Sequence, residues 1–259
     1  FQKREEYFSH AGKIAKVQVT LVPSIPYLCY TNPNTVTIIE NLEKLRKDIP
    51  GHVQIVAVSK TQPPEMIEEA YRAGQRHFGE NKARELEMKY NRLPADISWH
   101  FIGHLQRNKV RQIAPFVALI HSIDSLRLLA EVEKEAARCS RTIDCLLQFH
   151  IATEETKFGL STREGVDLLA SDEFRAMRHV RIRGVMGMAS FSDDISLVRQ
   201  EFRGLAATFR MLKERFFAED NAFRILSMGM SGDYSMAIEE GSNMIRIGTS
   251  IFRDRHLEG

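Results

Sequence analysis

The chain has 259 residues, 43% of them hydrophobic and 27% charged, which is enough apolar material for one large α/β domain with a sizeable core. Thirty-six lysines and arginines against 34 aspartates and glutamates give a formal charge of +2, without a long run of one sign; nucleic acid and membrane are not expected as partners. Cys29, Cys139 and Cys145 are odd in number and lack a CxxC or metal-type spacing, and no apolar stretch reaches the roughly 20 residues of a membrane helix; a soluble, cytoplasmic protein without a metal is expected.

The N-terminal stretch LVPSIPYLCYTNPN holds three prolines, and its apolar run is too short and too broken by Pro23 and Pro26 for a signal peptide. Residues 1–34 are read as an extension of uncertain origin with no assigned function, and residues 35–259 as the functional domain. TVTIIENLEKLRKDIP opens that domain as a helix, with Asn34 or Thr35 as N-cap, Ile38, Ile39, Leu42 and Leu45 on one side and Pro50 beyond its end.

From there, β-rich runs alternate with amphipathic segments, the pattern of parallel βαβ units. HVQIVAVSK, RHFGEN, WHFIGH, VALIHSID, TIDCLLQFH, VRIRGVMGM, FRILSMG and NMIRIGT read as strands. Eight strands predict a single (β/α)8 TIM barrel preceded by an extra N-terminal helix. An open doubly wound sheet shares the alternation, but neither GxGxxG nor a Walker lysine motif supports it.

Lys60 ends the first strand. Alternation puts Gln54, Val56, Val58 and Lys60 on one face, at the rim where barrels carry their active sites. Loss of hydration there would favour the neutral amine, the nucleophile that captures carbonyls. The ordinary alternative is a strand-end lysine holding its charge in water.

FRILSMGMSGDYSMAIEEG runs from a strand through a Gly- and Ser-rich turn into a helix, so amides around Met230, Ser231 and Gly232 can point at an anion. Ser231 also reads as the N-cap of that helix. In the following strand, Gly248 permits close backbone approach and Thr249 adds a hydroxyl, and these last two βα units are where TIM barrels commonly hold phosphate. Arg246 shares a face with Met244 and Gly248; it is rarely buried alone, and pairing with Glu239 or Glu240 is the ordinary reading.

VAVSKTQP, HFGEN, WHFIGHLQRNK, SMGMSGD, AI..GS and IRIGTSIF, in that order from about Val53 to Phe252, resemble the YggS/PROSC family of pyridoxal 5'-phosphate (PLP) homeostasis proteins. The resemblance implies a barrel of the alanine racemase N-terminal domain type, with PLP held as a Schiff base on Lys60. It implies Arg246 facing the pyridine nitrogen, Asn81 near the ring, and phosphate held by the segments with Met230, Ser231, Gly248 and Thr249. Asn81 has an ordinary reading as the N-cap of the next helix. His100 and His104 share a face of WHFIGH without a third ligand, so packing is favoured over metal, and His104 is the pocket candidate of the two.

EETKFG resembles a family loop and would place Lys157 beyond the fifth strand, as a second lysine for PLP or a solvated loop residue. His150 and Arg253 depart from the family's asparagine and glycine. An arginine at the pyridine nitrogen cannot readily give it a proton, which weakens the ring as an electron sink. Cofactor holding, or chemistry needing little carbanion stabilisation, then fits better than transamination; buffering or delivery of PLP without turnover is expected, with apo-PLP enzymes as recipients and a monomeric carrier. Alternatives are a PLP-dependent racemase, a class I aldolase or an interaction scaffold. A racemase is disfavoured because it takes a second acid/base from a C-terminal β-domain, and the sequence given ends at Gly259.

Overall fold

The computed structural model describes residues 37–152 and 158–252, together with the backbone of two short strands, Ser9–His10 and Lys13–Ile14. Lys157, Cys29 and Arg253 lie outside the described residues. The chain divides into a unit of residues 1–36, in which those two short strands pair antiparallel, and a unit of residues 37–259.

The second unit opens on helix α1, Ile38–Asp48. Its cap is Thr37, not the expected Asn34 or Thr35: the Thr37 hydroxyl accepts from the Glu40 amide and the Glu40 carboxylate accepts from the Thr37 amide. This capping box fixes the register. Ile38, Leu42 and Leu45 turn inward, whereas Ile39, expected beside them, falls off the apolar stripe and is 40% exposed.

Eight parallel strands follow: β1 Gln54–Val58, β2 His77–Glu80, β3 Ser98–Phe101, β4 Leu119–Ile123, β5 Ile143–Phe149, β6 Val180–Gly187, β7 Ile225–Ser227 and β8 Met244–Ile247. They close in sequence order, β8 pairing with β1 through Arg246 opposite Val56. The expected (β/α)8 barrel is the observed fold. Helices α2 Pro64–Arg72, α3 Ala83–Tyr90, α4 Val110–Ile113, α5 Leu126–Arg138, α6 Thr162–Ala170, α7 Asp172–Ala176, α8 Ile195–Phe216 and α9 Tyr234–Glu239 connect the strands. No helix among the described residues is long and apolar enough to cross a membrane.

Strand alternation divides the apolar residues into two clusters. Ile55, Ala57, Phe78, Trp99 and Phe101 pack outward under the helices, in the larger core. Val56, Leu119, Leu146, Met186 and Met244 form a smaller cluster inside the barrel. Lys60 has the inward parity of Val56. β3 ends at Phe101, so His104 stands in the loop beyond the strand rather than on it.

At Gly184 the pairing of β5 with β6 shifts register. Its φ is +152°, and a Cβ there would overlap the Ile225 carbonyl oxygen of β7. Only glycine accommodates both constraints. Gly184→Ala should lower stability by about 3 kcal/mol in denaturant unfolding, through strain and a displaced β6–β7 ladder.

Candidate functional site

The C-terminal ends of β1, β7 and β8 and the loop from β6 to α8 enclose a cavity of about 660 Å³, within the range of small-molecule sites. Lys60, Met230, Ser231, Arg246, Gly248 and Thr249 all line it, so six of the eight expected site residues meet in one place. Asn81 and His104 line a separate recess of about 220 Å³ instead.

Lys60 is solvent-exposed at the mouth, so the protein walls do not supply the loss of hydration expected from a strand end. Arg246 is 4% exposed, and Glu239 and Glu240, its expected partners, are taken by Arg199 and Arg203. Its guanidinium instead donates from Nη1 to Ser227 Oγ at 2.7 Å and from Nη2 to the Gly187 carbonyl at 3.0 Å. Burial pulls its pKa down to about 10, opposed by the charge of Asp233 in the cavity wall. It therefore remains a cation at neutral pH.

The turn after β7 is shaped by Gly229, at φ +97°, where a Cβ would press on Ala237 and Tyr234. The Met230 amide donates to Asp233 Oδ1 at 2.5 Å, so that donor is already occupied. Ser231 does not cap α9: Asp233 holds the cap position, and Ser231 Oγ accepts from the Gly248 amide at 3.3 Å, joining the two loops. Among the described residues, the amides of Ser231, Gly232 and Thr249 have no protein acceptor. Three free amides, a hydroxyl proton and a buried cation, all on residues that line one cavity, suit a phosphorylated ligand that carries a second acceptor.

Asn81 is not a helix cap either, since Lys82 takes the cap position of α3. Its Oδ1 is buried without a hydrogen-bond partner. His104 Nδ1 sits 3.3 Å from Asp124 Oδ2, and its ring stacks on Phe158 at 4.0 Å.

Residues 34–256 match the model of the alanine racemase N-terminal domain family. The pyridoxal phosphate homeostasis protein of Helicobacter pylori is 36% identical over 221 residues, 84% of this chain and 96% of its own length. The protein of that name from Schizosaccharomyces pombe is 36% identical over 80% of this chain and 86% of its own. PipY of Synechococcus elongatus, solved with PLP bound, superposes with a TM-score of 0.75 at 34% identity, covering 83% of this chain and all of its own. The chain belongs to the pyridoxal phosphate homeostasis protein family.

Two features of this family member escaped the sequence reading. Behind Lys60, the buried Lys89 ammonium donates to the Ser59 carbonyl at 2.7 Å, to Glu80 Oε1 at 2.8 Å and to Glu85 Oε1 at 2.7 Å. Glu85 in turn accepts from the Thr61 amide, and Ser59 Oγ donates to Glu80. Thr61 stands at φ +64°, a conformation a β-branched residue adopts only when its surroundings impose it. The residues on either side of Lys60 are thus pinned by one charge cluster, which aims the lysine. The Glu85–Lys89 spacing on α3 was visible as an i,i+4 pair; its attachment to Ser59 and Thr61 was not.

The second feature is a file of polar side chains inside the barrel. His77 Nδ1 lies 3.0 Å from His100 Nε2, His100 Nδ1 lies 2.8 Å from His121 Nε2, and His121 Nδ1 lies 3.3 Å from Ser227 Oγ. The inward parity of three strand histidines carried the signal, but single strands do not reveal which of them meet across a barrel.

Lys89→Met would leave Glu80 and Glu85 without their cation, and denaturant unfolding should show a loss of about 3–5 kcal/mol. The pH dependence has two opposing sources. Burial holds His100 down to about 3 and His121 well below its ordinary value; their stabilisation is complete above the unfolded pKa near 6.5 and is lost as pH falls below it. Burial raises Glu80 to about 7, against the pull of Lys89; its contribution is present below the unfolded value near 4.5 and is lost as pH rises through 7. Burial lowers His77 as well, so the histidines outweigh one carboxyl, stability should fall between pH 6.5 and 5.5 by on the order of 1 kcal/mol, and Glu80→Gln should steepen that fall.

Proposed function

We propose that this chain binds PLP, with Lys60 as the amine that takes its aldehyde, and that it serves PLP homeostasis by holding the cofactor and releasing it to apo-PLP enzymes in the cytoplasm. PLP supplies an aldehyde that condenses reversibly with amines and a pyridine ring that can draw electrons from a bound substrate. One observation carries the reading. A lysine amine, a buried guanidinium and three free amides face the same cavity of about 660 Å³, and a molecule with an aldehyde, a ring nitrogen and a phosphate answers all three.

Ser231, Gly232 and Thr249 hold the phosphate through their amides, helped by the Ser231 hydroxyl, whose oxygen is fixed by the Gly248 amide. Arg246 meets the ring nitrogen as an obligate donor. With its pKa at about 10, it keeps its proton at neutral pH and leaves the nitrogen unprotonated. The ring is then a weaker electron sink, and holding suits the site better than transamination. Lys60, exposed at the mouth, is open to an incoming amine that would displace it, the route by which PLP leaves.

Borohydride reduction of the PLP-loaded protein followed by peptide mass analysis should find the cofactor on Lys60, and Lys60→Ala should lose the associated absorbance. Modification at another lysine overturns the assignment, and racemisation of alanine by the purified protein overturns the holding role. Ser231→Ala, which removes a donor and the brace on Gly248, should weaken PLP binding about tenfold while leaving capture at Lys60 intact; equilibrium titration measures it.

A further inference from the structure

The barrel interior is apolar around Val56, Leu119, Leu146, Met186 and Met244, yet a line of polar groups crosses it. His77 on β2, His100 on β3 and His121 on β4 run along one wall, and His121 reaches Ser227 on β7, which touches Arg246 on β8. His100 and His121 are 3% and 0% exposed, and Ser227 is 0% exposed. Burying this many polar atoms is costly unless every donor finds an acceptor. Nothing in the cofactor reading accounts for the three histidines.

The order of donors follows from the end that cannot reverse. A guanidinium only donates, so Arg246 occupies one lone pair of Ser227 Oγ. The Ser227 proton then has the His121 Nδ1 as its acceptor. That makes His121 the Nε2–H tautomer, which donates to His100 Nδ1; His100 is likewise Nε2–H and donates to His77 Nδ1. The reverse order, with His121 donating from Nδ1, leaves the buried Ser227 proton without a partner, an arrangement disfavoured about tenfold or more. Burial keeps His100 and His121 neutral at physiological pH, so each has one donor and one acceptor, and one reversal reverses them all.

We propose that Ser227, His121, His100 and His77 form a one-directional hydrogen-bond relay that positions Arg246 from below. These are positioning residues, since they act on the cofactor only through Arg246. The relay holds Ser227 Oγ as an acceptor in a fixed place, and with the Gly187 carbonyl it sets the plane of the guanidinium that faces the cavity. Its far end, His77, is half-buried at the opposite mouth of the barrel, beside Arg46 and Arg76; Arg46 is bonded to Ala73 and Gln75, and Arg76 is paired with Asp96. The part of the proposal that concerns PLP rests on the function proposed above, whereas the donor order does not.

Nitrogen-15 NMR of histidine-labelled full-length protein, without PLP and near pH 7.5, tests the order directly. His77, His100 and His121 should each give a single Nε2–H pattern. Mixed tautomers, or an Nδ1–H at His121, overturn the relay, and this measurement needs no variant. Ser227→Ala should mix the tautomers of His121 and His100 and speed PLP release about tenfold; Ser227→Thr, which keeps the hydroxyl, should restore both. Unchanged tautomers in Ser227→Ala overturn the relay, and mixed tautomers with unchanged PLP release overturn the positioning of Arg246. If PLP is not captured at Lys60 at all, the proposed function fails while the tautomer pattern still decides the relay.

Discussion

A guanidinium carried inside a closed barrel must be solvated by whatever the barrel contains. Arg246 enters on β8 with an apolar layer below it and, among the described residues, no carboxylate bonded to it. Its hydrogen bonds go to neutral dipoles, a serine oxygen and a backbone carbonyl, and Asp233 acts on it only through its charge. A carboxylate would have neutralised it and competed for its donors. Neutral acceptors leave the cation available to the cavity, and the cost of that choice is a polar file of histidines in a position where the rest of the interior is apolar.

A similar logic governs Lys60. Its own ammonium is in water, but Ser59 and Thr61 are fastened to a buried cluster of one lysine and two glutamates. The left-handed Thr61 turns the chain sharply away immediately after the lysine. Rigidity therefore lies in the backbone and freedom in the side chain. A lysine that takes up an aldehyde and gives it back to another amine, the role proposed for Lys60, would need both a fixed root and a mobile amine.

The fold was legible because barrel strands announce themselves locally: each run such as HVQIVAVSK or NMIRIGT has β-branched content and ends in a turn, and eight runs define the architecture. The six residues that line the cavity were also legible: Lys60, Arg246, Gly248 and Thr249 from strand ends and the barrel's polarity, Met230 and Ser231 from the Gly- and Ser-rich turn that follows a strand. What failed was pairing. Sequence proximity pairs Arg246 with Glu239 and Glu240, but the half-buried Arg199 and the exposed Arg203 hold both carboxylates. Ser231 and Asn81 were read as helix caps because their type and position suit caps, but the chain makes its turns two and one residues later. The cap of α1 moved for the same reason, since only Thr37 has a glutamate three residues on. Partner choice depends on distances across the barrel, and no local pattern contains them.

The distinction between holding and converting the cofactor turns on proton position. An enzyme that removes an α-proton from a bound amino acid benefits from a protonated ring nitrogen, and a group able to lose a proton to it at neutral pH would serve. Arg246 is buried, and burial lowers its pKa, yet at about 10 the proton stays in place at neutral pH. The hydrogen bonds to Ser227 and Gly187 fix the guanidinium in the geometry of a donor and offer no base to receive its proton. Under the proposed function, a ring nitrogen facing it would accept a hydrogen bond and no proton. The arrangement that would keep the nitrogen unprotonated would also anchor the ring, so holding and weak activation would arise from a single side chain.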